Sequence, residues 1–406
     1  MVSPSFNKSQ HIKYWKTCLN SLLPTDYTST DSMRVALGFF ILSSLDLLGA
    51  GADILSAAKR KSIHDWILKC QHPNGGFCGS PTHRYPDNFY DERKSDNADP
   101  ANLPATFFAL LNLNYVGKVS EINRAKCLRW LKTLQRKDGS FGEIIKDGRI
   151  EGGRDMRYCH FASAVRIILR GDLPSVGGED YGDIDVDALV RHIRGGETYD
   201  GGLGESSAHE AHAGYTYCGI ASLSSLSRLP NSLSESSTGL AEAKLTGITN
   251  PQATIRWLLS RQLEYEEEKE DEVDEDPSPR PISLAGIIPE EKPLIVGCNG
   301  RLNKDADTCY SYYVVGALNI LGQGKLINWE SNRRFLLEKT QHSIGGFGKQ
   351  PGYPPDMYHA LLGLATLAMW NEPGLKELDP ILTISREARS KMEKDILEVT
   401  APQACN

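Results

Sequence analysis

Apolar residues recur along this chain with helical spacing. Runs with a period near 3.6 fall at about 32 to 48, 60 to 71, 104 to 115, 121 to 135, 158 to 169, 186 to 193, 214 to 227, 250 to 263, 308 to 321, 328 to 340, 356 to 370 and 384 to 396. No segment shows the strict alternation expected of a strand. Alternate runs differ in character. LGFFILSSLDLL, ATFFALLNL, YTYCGIASL, CYSYYVVGAL and HALLGLATLAMW are apolar nearly all round, whereas RKSIHDWILKCQ, NRAKCLRWLKTLQR and NRRFLLEKTQ carry a charged face. The first kind belongs in an inner layer and the second outside it.

A short glycine signature follows the amphipathic runs: HPNGGFCG at 72 to 79, RKDGSFG at 136 to 142, YDGGLG at 199 to 204, a degenerate GCNGR at 297 to 301, and SIGGFG at 343 to 348. Its glycines permit a tight reversal, and its Phe or Leu plugs back into the core. Self-similarity of this kind marks a repeat, with a helical hairpin as its unit. Twelve helices alternating inner and outer make an all-α, α/α toroid of six hairpins, a single domain over residues 1 to 406. The N-terminal ends of the inner helices should line its cavity. Two insertions interrupt the pattern, a Ser-rich stretch at 228 to 246 and the acidic, Pro-ended EYEEEKEDEVDEDPSPRPIS at 264 to 283; both read as solvated, mobile loops, and removing the second makes the repeat spacing more regular.

A net charge of −7 argues against wholesale binding of nucleic acid or an acidic membrane, so any anion site must be a local cluster of bases. Nine cysteines, odd in number and without CxxC spacing, fit a reduced, cytoplasmic protein. The first residues, MVSPSFNKSQHIKYWK, lack a signal-peptide core, and no apolar run reaches the length of a membrane span. Cys405 stands second from the end in QACN, which is not a four-residue prenylation signal.

The chemistry concentrates in GCNGRLNKDADTCYSYYVVG, residues 297 to 316. Arg301 and Lys304 can grip an oxyanion, the first as a planar fork and the second as a point charge. Asp307 and Cys309 combine a hard oxygen with a soft thiolate, a pairing that zinc accepts, and His359 in PPDMYHALLGLATLAMW can supply a third ligand. Three protein ligands leave a fourth position open, as in catalytic rather than structural zinc. Taken singly, such a cysteine or histidine is more often a buried core residue than a ligand. Their coincidence with Arg301, Lys304 and Asp307 favours a site.

Read together, GRLNK, DTCYSYYVVGAL and DMYHALLGL, with DMRYCHFASAV and HEAHAGYTYCGIASL, resemble the β subunits of protein prenyltransferases over nearly the whole chain. The resemblance implies a catalytic zinc held by Asp307, Cys309 and His359. It also implies an isoprenoid diphosphate held by His212, Arg301, Lys304 and Tyr310, and transfer of the isoprenoid to a C-terminal cysteine. Ala213 and Gly214, which directly follow His212, are included in that diphosphate site, at the start of a helix whose free amides would add to the attraction for an anion. Arg157 in DMRYC is a further diphosphate ligand or simply an ion-pair partner of Asp155 or Glu151.

Ala36, in place of a farnesyl enzyme's Trp, and Leu362, in place of its Tyr, imply a pocket deep enough for a C20 chain. Lys349, in place of an Asp that helps hold magnesium, implies zinc dependence without a magnesium requirement. The resemblance is therefore strongest to type I geranylgeranyl enzymes. These use geranylgeranyl diphosphate, an α subunit as heterodimer partner, and CaaX proteins ending mainly in Leu, such as Rho-type small G proteins. Farnesyl and Rab-modifying enzymes are the alternatives within the family; terpene cyclases and non-catalytic toroids are those outside it. Departures stand at Asn102 and Pro104, near the position of the peptide's last residue, and at Ala213, where Gly is expected.

Overall fold

The computed structural model describes residues 5–83, 101–173, 181–229, 246–265 and 293–400. The two insertions read at 228 to 246 and 264 to 283 lie outside these residues except at their edges. The helices are α1 (Lys8–Asn20), α2 (Arg34–Leu47), the single turn α3 (Gly51–Ile54), α4 (Ala57–Leu68), α5 (Leu103–Val116), α6 (Arg124–Thr133), α7 (Met156–Ile168), α8 (Val186–Arg194), α9 (Ala213–Ser225), α10 (Pro251–Leu259), α11 (Thr308–Ile320), α12 (Trp329–Arg334) continued by a π-helical turn over Phe335–Thr340, α13 (Met357–Met369) and α14 (Arg386–Thr400). Helices α2, α5, α7, α9, α11 and α13 pack in that order, and α13 returns to α2, closing a ring. These are the uniformly apolar runs, and the amphipathic helices lie outside them. Among the described residues no helix is long and apolar enough to cross a membrane.

The signatures build the repeat. Phe77, Phe141, Leu203 and Phe347 are fully buried, each bridged to the end of its preceding outer helix in the same register: Gln71 to Phe77, Gln135 to Phe141, Glu197 to Leu203 and Gln341 to Phe347. One glycine of each turn adopts positive φ and presses on the backbone of the next outer helix. A Cβ on Gly75 would lie 2.3 Å from the Lys126 carbonyl of α6, one on Gly139 2.0 Å from the Ala188 carbonyl of α8, and one on Gly345 2.3 Å from the Gln10 carbonyl of α1. Only glycine fits such an approach.

That last contact corrects the sequence-based arrangement. The twelve predicted helices include 384 to 396 but no helix before residue 32. In the structure α1 takes the outer place in the last hairpin, and α14 crosses the C-terminal ends of α5 and α7, where the Asn114 side chain donates to the Ala388 carbonyl. Helix α1 is hard to read because His11 and Trp15, one turn apart, are its only buried residues among thirteen. No strand was expected, and the ladders present are very short: β1 (Ile144–Lys146) with β2 (Arg149–Glu151), β3 (Gln262–Glu264) with β4 (Val296–Cys298), and β5 (Leu378–Asp379) with β6 (Ile384–Ser385).

A second recurring bond holds the inner helices in register. An amide at the very start of an inner helix donates to the carbonyl two residues beyond the plug of the following repeat: Val35, the second residue of α2, to Gly79, and the first residues of α5, α9 and α11, Leu103 to Glu143, Ala213 to Gly300 and Thr308 to Lys349, at 2.8 to 3.0 Å. Cys298 therefore occupies the plug position in the degenerate signature. These bonds satisfy amides that a helix cannot satisfy internally, and they gather the helix beginnings at one rim.

His11 ties α1 to the last signature turn. Its Nδ1 accepts from the Gly346 amide at 3.0 Å, its Nε2 donates to Gln341 Oε1 at 3.0 Å, and its ring stacks between Phe6 and Phe347. Burial pulls its pKa down from 6.5 to about 4, against the weaker upward pull of Gln341, so it is neutral when folded. A depressed folded pKa means that stability present above pH 6.5 is lost as pH falls towards 4. His11→Gln keeps an acceptor and a donor but cannot titrate. In urea titrations it should shrink the acid-induced loss of stability between pH 6.5 and pH 4 by about 3 kcal/mol.

Candidate active site at the barrel rim

Five of the six inner helices, all but α2, begin with a side chain that caps them. Asn102 caps α5, Asp155 caps α7, His212 caps α9, Asp307 caps α11 and Asp356 caps α13, each accepting from an amide of the first turn. A capping residue faces the rim by necessity, because its backbone has not yet entered the helix. Two capping residues, Asp307 and Asp356, organise a buried cluster.

Asp307, Cys309 and His359 offer one oxygen, one sulfur and one nitrogen within 4.8 Å of one another. Asp307 Oδ1 accepts the Cys309 amide at 2.7 Å and lies 3.5 Å from His359 Nε2. His359 Nδ1 donates to Asp356 Oδ2 at 2.6 Å, while Asp356 Oδ1 accepts the amides of Tyr358 and His359. Asp356 thereby fixes the imidazole with Nε2 turned towards Asp307 and Cys309, the arrangement usual for a metal-binding histidine. It is a residue that the sequence reading missed, although an Asp three residues before a candidate ligand His on a helix was a usable signal.

The electrostatics of this cluster ask for positive charge. Burial, then the Asp307 carboxylate, pushes the Cys309 thiol well up. Burial also favours the neutral acid at Asp307, but hydrogen bonds from His359 and Cys309 outweigh it and hold the carboxyl below its usual range. Burial lowers the pKa of His359, yet Asp307 and Asp356 together raise it to about 9. The imidazolium proton supplies the charge that a divalent ion would bring. One thiol, one carboxylate and one tautomer-fixed imidazole form a donor set that fits zinc.

Beside the cluster lies a cationic face. His212 Nδ1 accepts the Gly214 amide at 3.1 Å, which places its proton on Nε2, 3.2 Å from Tyr310 Oη. The Tyr310 hydroxyl then accepts from His212 and keeps its own proton free to donate. Burial, followed by the charges of Arg301 and Arg157, lowers the His212 pKa. Gly300 has no Cβ because the Tyr310 ring would stand 2.2 Å from it. Arg301 is half-exposed and lies 3.3 Å from Glu210 Oε2, and Lys304 is exposed in the same turn. Lys349, whose carbonyl holds the Thr308 amide, favours the ionised form of Cys309. Arg157 forms a bidentate pair with Asp155 at 2.8 and 2.9 Å, not with Glu151. The expected free amides at the α9 N-terminus are partly occupied, since Ala213 donates to Gly300 and Gly214 to His212.

Below the rim is a cavity of about 590 Å³ bordered by Phe39, Phe40, Phe107, Phe108, Phe161, Tyr313 and Tyr358, among others. Pro104, Arg157 and Leu362 also border it; Ala36 is buried on α2, one turn before Phe39 and Phe40.

The family model of the prenyltransferase alpha-alpha toroid domain matches residues 6–384. The chain belongs to that family. The match stops just before α14, the helix that stands outside the repeat. Among curated relatives, the geranylgeranyl transferase type-1 β subunit of Arabidopsis thaliana is 29% identical, over 94% of this chain and 89% of that protein. The type-1 β subunit of Dictyostelium discoideum is 28% identical, over 95% and 97%. Among solved structures, Candida albicans protein geranylgeranyltransferase-I complexed with GGPP superposes with a TM-score of 0.74 at 28% identity, covering 97% of this chain and 99% of the other.

For a prenyltransferase toroid with this cluster, Asp356→Ala should leave the three ligands in place but free the imidazole to turn. Its metal affinity, measured by competition with a chromophoric chelator, should fall about 10- to 100-fold without loss of helical signal.

Proposed function

We propose that this chain is the catalytic β subunit of a type I protein geranylgeranyltransferase, which moves a C20 group from geranylgeranyl diphosphate to the cysteine of C-terminal CaaX motifs. The observation that carries the reading is the juxtaposition at one rim of a thiol–carboxylate–imidazole cluster, a cationic face and an aromatic cavity beneath both. Type-1 β subunits among the relatives, and a type-I enzyme as structural neighbour, support it.

Asp307, Cys309 and His359 would hold a zinc ion, which when bound supplies the positive charge that keeps an acceptor thiol ionised at neutral pH. The aromatic cavity takes the isoprenoid and excludes water from it. Arg301, Lys304 and His212, with the free Tyr310 proton, face the diphosphate. As the acceptor sulfur forms its bond to C1 of the donor, the C1–oxygen bond breaks and diphosphate leaves with the electron pair. Donors aimed at that growing charge act most strongly where water is excluded. Lys349 supplies a fixed cation in the same region and removes the need for magnesium on the diphosphate. Small residues at Ala36 and Leu362 leave room for the longer chain, and Arg157 holds the mouth of the cavity through Asp155. The enzyme works in the cytoplasm as a heterodimer with a prenyltransferase α subunit, on CaaL proteins such as Rho-type small G proteins.

The test is prenyl transfer by the chain co-expressed with an α subunit, comparing geranylgeranyl and farnesyl diphosphate and peptides ending in CaaL and CaaS, with zinc present and magnesium chelated. Geranylgeranyl transfer to CaaL is expected; farnesyl preference, or an absolute magnesium requirement, overturns the assignment within the family. Cys309→Ala should lose both bound zinc and turnover. Lys349→Asp should lower kcat on the order of 10²-fold without magnesium and recover with millimolar magnesium, because a carboxylate now needs the metal to serve as a cation.

A further inference from the structure

The helices of the ring are not the whole border of the aromatic cavity. Thr383, on the turn between β5 and β6, borders it together with Tyr217 and Tyr312. The hydroxyls of the three form a chain: Thr383 Oγ1 is 2.6 Å from Tyr312 Oη, which is 2.8 Å from Tyr217 Oη, which donates to the Pro380 carbonyl at 2.7 Å. Tyr312 Oη also lies 3.3 Å from the Pro380 carbonyl, so every hydroxyl proton has an acceptor within reach. Tyr217 and Tyr312 stand equally far past the caps His212 and Asp307, so they meet the hairpin at one depth.

Other bonds hold the same tip. Ser43 Oγ on α2 donates to the Thr383 carbonyl at 2.9 Å, and the Thr383 amide donates to the Asp379 carbonyl at 3.0 Å. Arg389 on α14 reaches Asp379 Oδ2 at 3.3 Å. Thr383 has φ of +59°, and among the described non-glycine residues with positive φ it is the β-branched one. A β-branched side chain is costly there, and Gly or Asn would adopt the angle more cheaply. Such strain persists where the surroundings over-determine it, and it points to a use for the side chain itself. The use visible here is to border the cavity and complete the hydroxyl chain.

We infer that the hairpin tip at residues 380 to 383, latched by Tyr217 and Tyr312, is the floor that sets how long an isoprenoid the cavity takes. This rests on the cavity being the donor's site, as proposed above. The floor's hydroxyls are satisfied among themselves, so they place no unpaired polar group against an apolar chain. A donor one isoprene too long has to displace the tip and break the latch; one too short leaves the end unfilled.

The test uses the full chain with its α subunit and measures dissociation constants for farnesyl, geranylgeranyl and geranylfarnesyl diphosphate without an acceptor. Thr383→Gly keeps the backbone angle and removes the filling side chain. The double variant Tyr217→Phe, Tyr312→Phe keeps both rings and removes the latch. Each should raise the affinity for the C25 donor relative to the C20 donor by about tenfold, the scale set by a few methylenes in an apolar pocket. Folded variants with the wild-type ratio overturn the floor. A complex that binds these diphosphates but transfers nothing to a CaaL peptide overturns the proposed activity, and the same binding ratio still judges the floor. A wild-type complex that binds none of them overturns both.

Discussion

The first amide of an α-helix has no partner inside its own helix, and the way this chain satisfies that amide organises everything at the rim. The carbonyls of Gly79, Glu143, Gly300 and Lys349 each accept an amide from the first turn of α2, α5, α9 and α11 in that order, each from a position two residues past the plug of the next repeat. Leaving any of them unpaired in a buried place would cost about 1 to 3 kcal/mol. The bond therefore fixes how far each hairpin can slide against its neighbour. It also brings the segment before one inner helix to the beginning of the preceding one. Lys349 comes to rest beside Asp307 and Cys309 for this reason, and Arg301 beside His212.

The rim collects two opposite electrostatic demands on adjacent helices. At the starts of α11 and α13, Asp307 and Asp356 raise the pKa of His359 against the opposing effect of burial, so the cluster wants a cation. On the α9 side, Arg301 and Arg157 help to lower the pKa of His212, so that face wants an anion. The parallel inner helices contribute the positive ends of their dipoles to the whole rim. Tyr310 stands between the two, on the same helix as Cys309 and in contact with His212. In the reaction proposed above, the diphosphate on C1 of the donor would answer the demand for an anion and a metal ion held by the cluster the demand for a cation, so both needs meet at the carbon where the bond changes.

Much of this was legible in the sequence because the relevant signals are local. The glycine signatures, the alternation of apolar and amphipathic helices, and the short spacing from Arg301 to Cys309 each lie within one or two turns of chain. What escaped reading depends on distant partners. Helix α1 has a single buried stripe, and its place in the ring shows only when Gln10 meets Gly345. The run at 384 to 396 has helical period but no signature before it, and it crosses the barrel end instead of joining the ring. Asp356 could have been suspected from its spacing to His359. Thr383, Tyr217 and Tyr312 could not, since their hydroxyls meet only after three distant segments converge.

The degenerate signature shows which part of the repeat is under constraint. In four repeats the turn is short, as between Gln71 and Phe77; in the fifth, the equivalent bridge joins Gln262 to Cys298 across the acidic insertion. Closing so long a loop costs little more than closing a short one, because the penalty grows only logarithmically with length. The ladder of β3 and β4 fixes both ends, and the Asn299 amide still reaches the Arg261 carbonyl. Gly300 can then receive Ala213, Arg301 stays beside His212, and the Asp307 cap starts α11 in register. The tight turn is dispensable as long as the ladder and the helix-start bond survive. Those two features, rather than a tight glycine turn, hold the rim in place in this repeat.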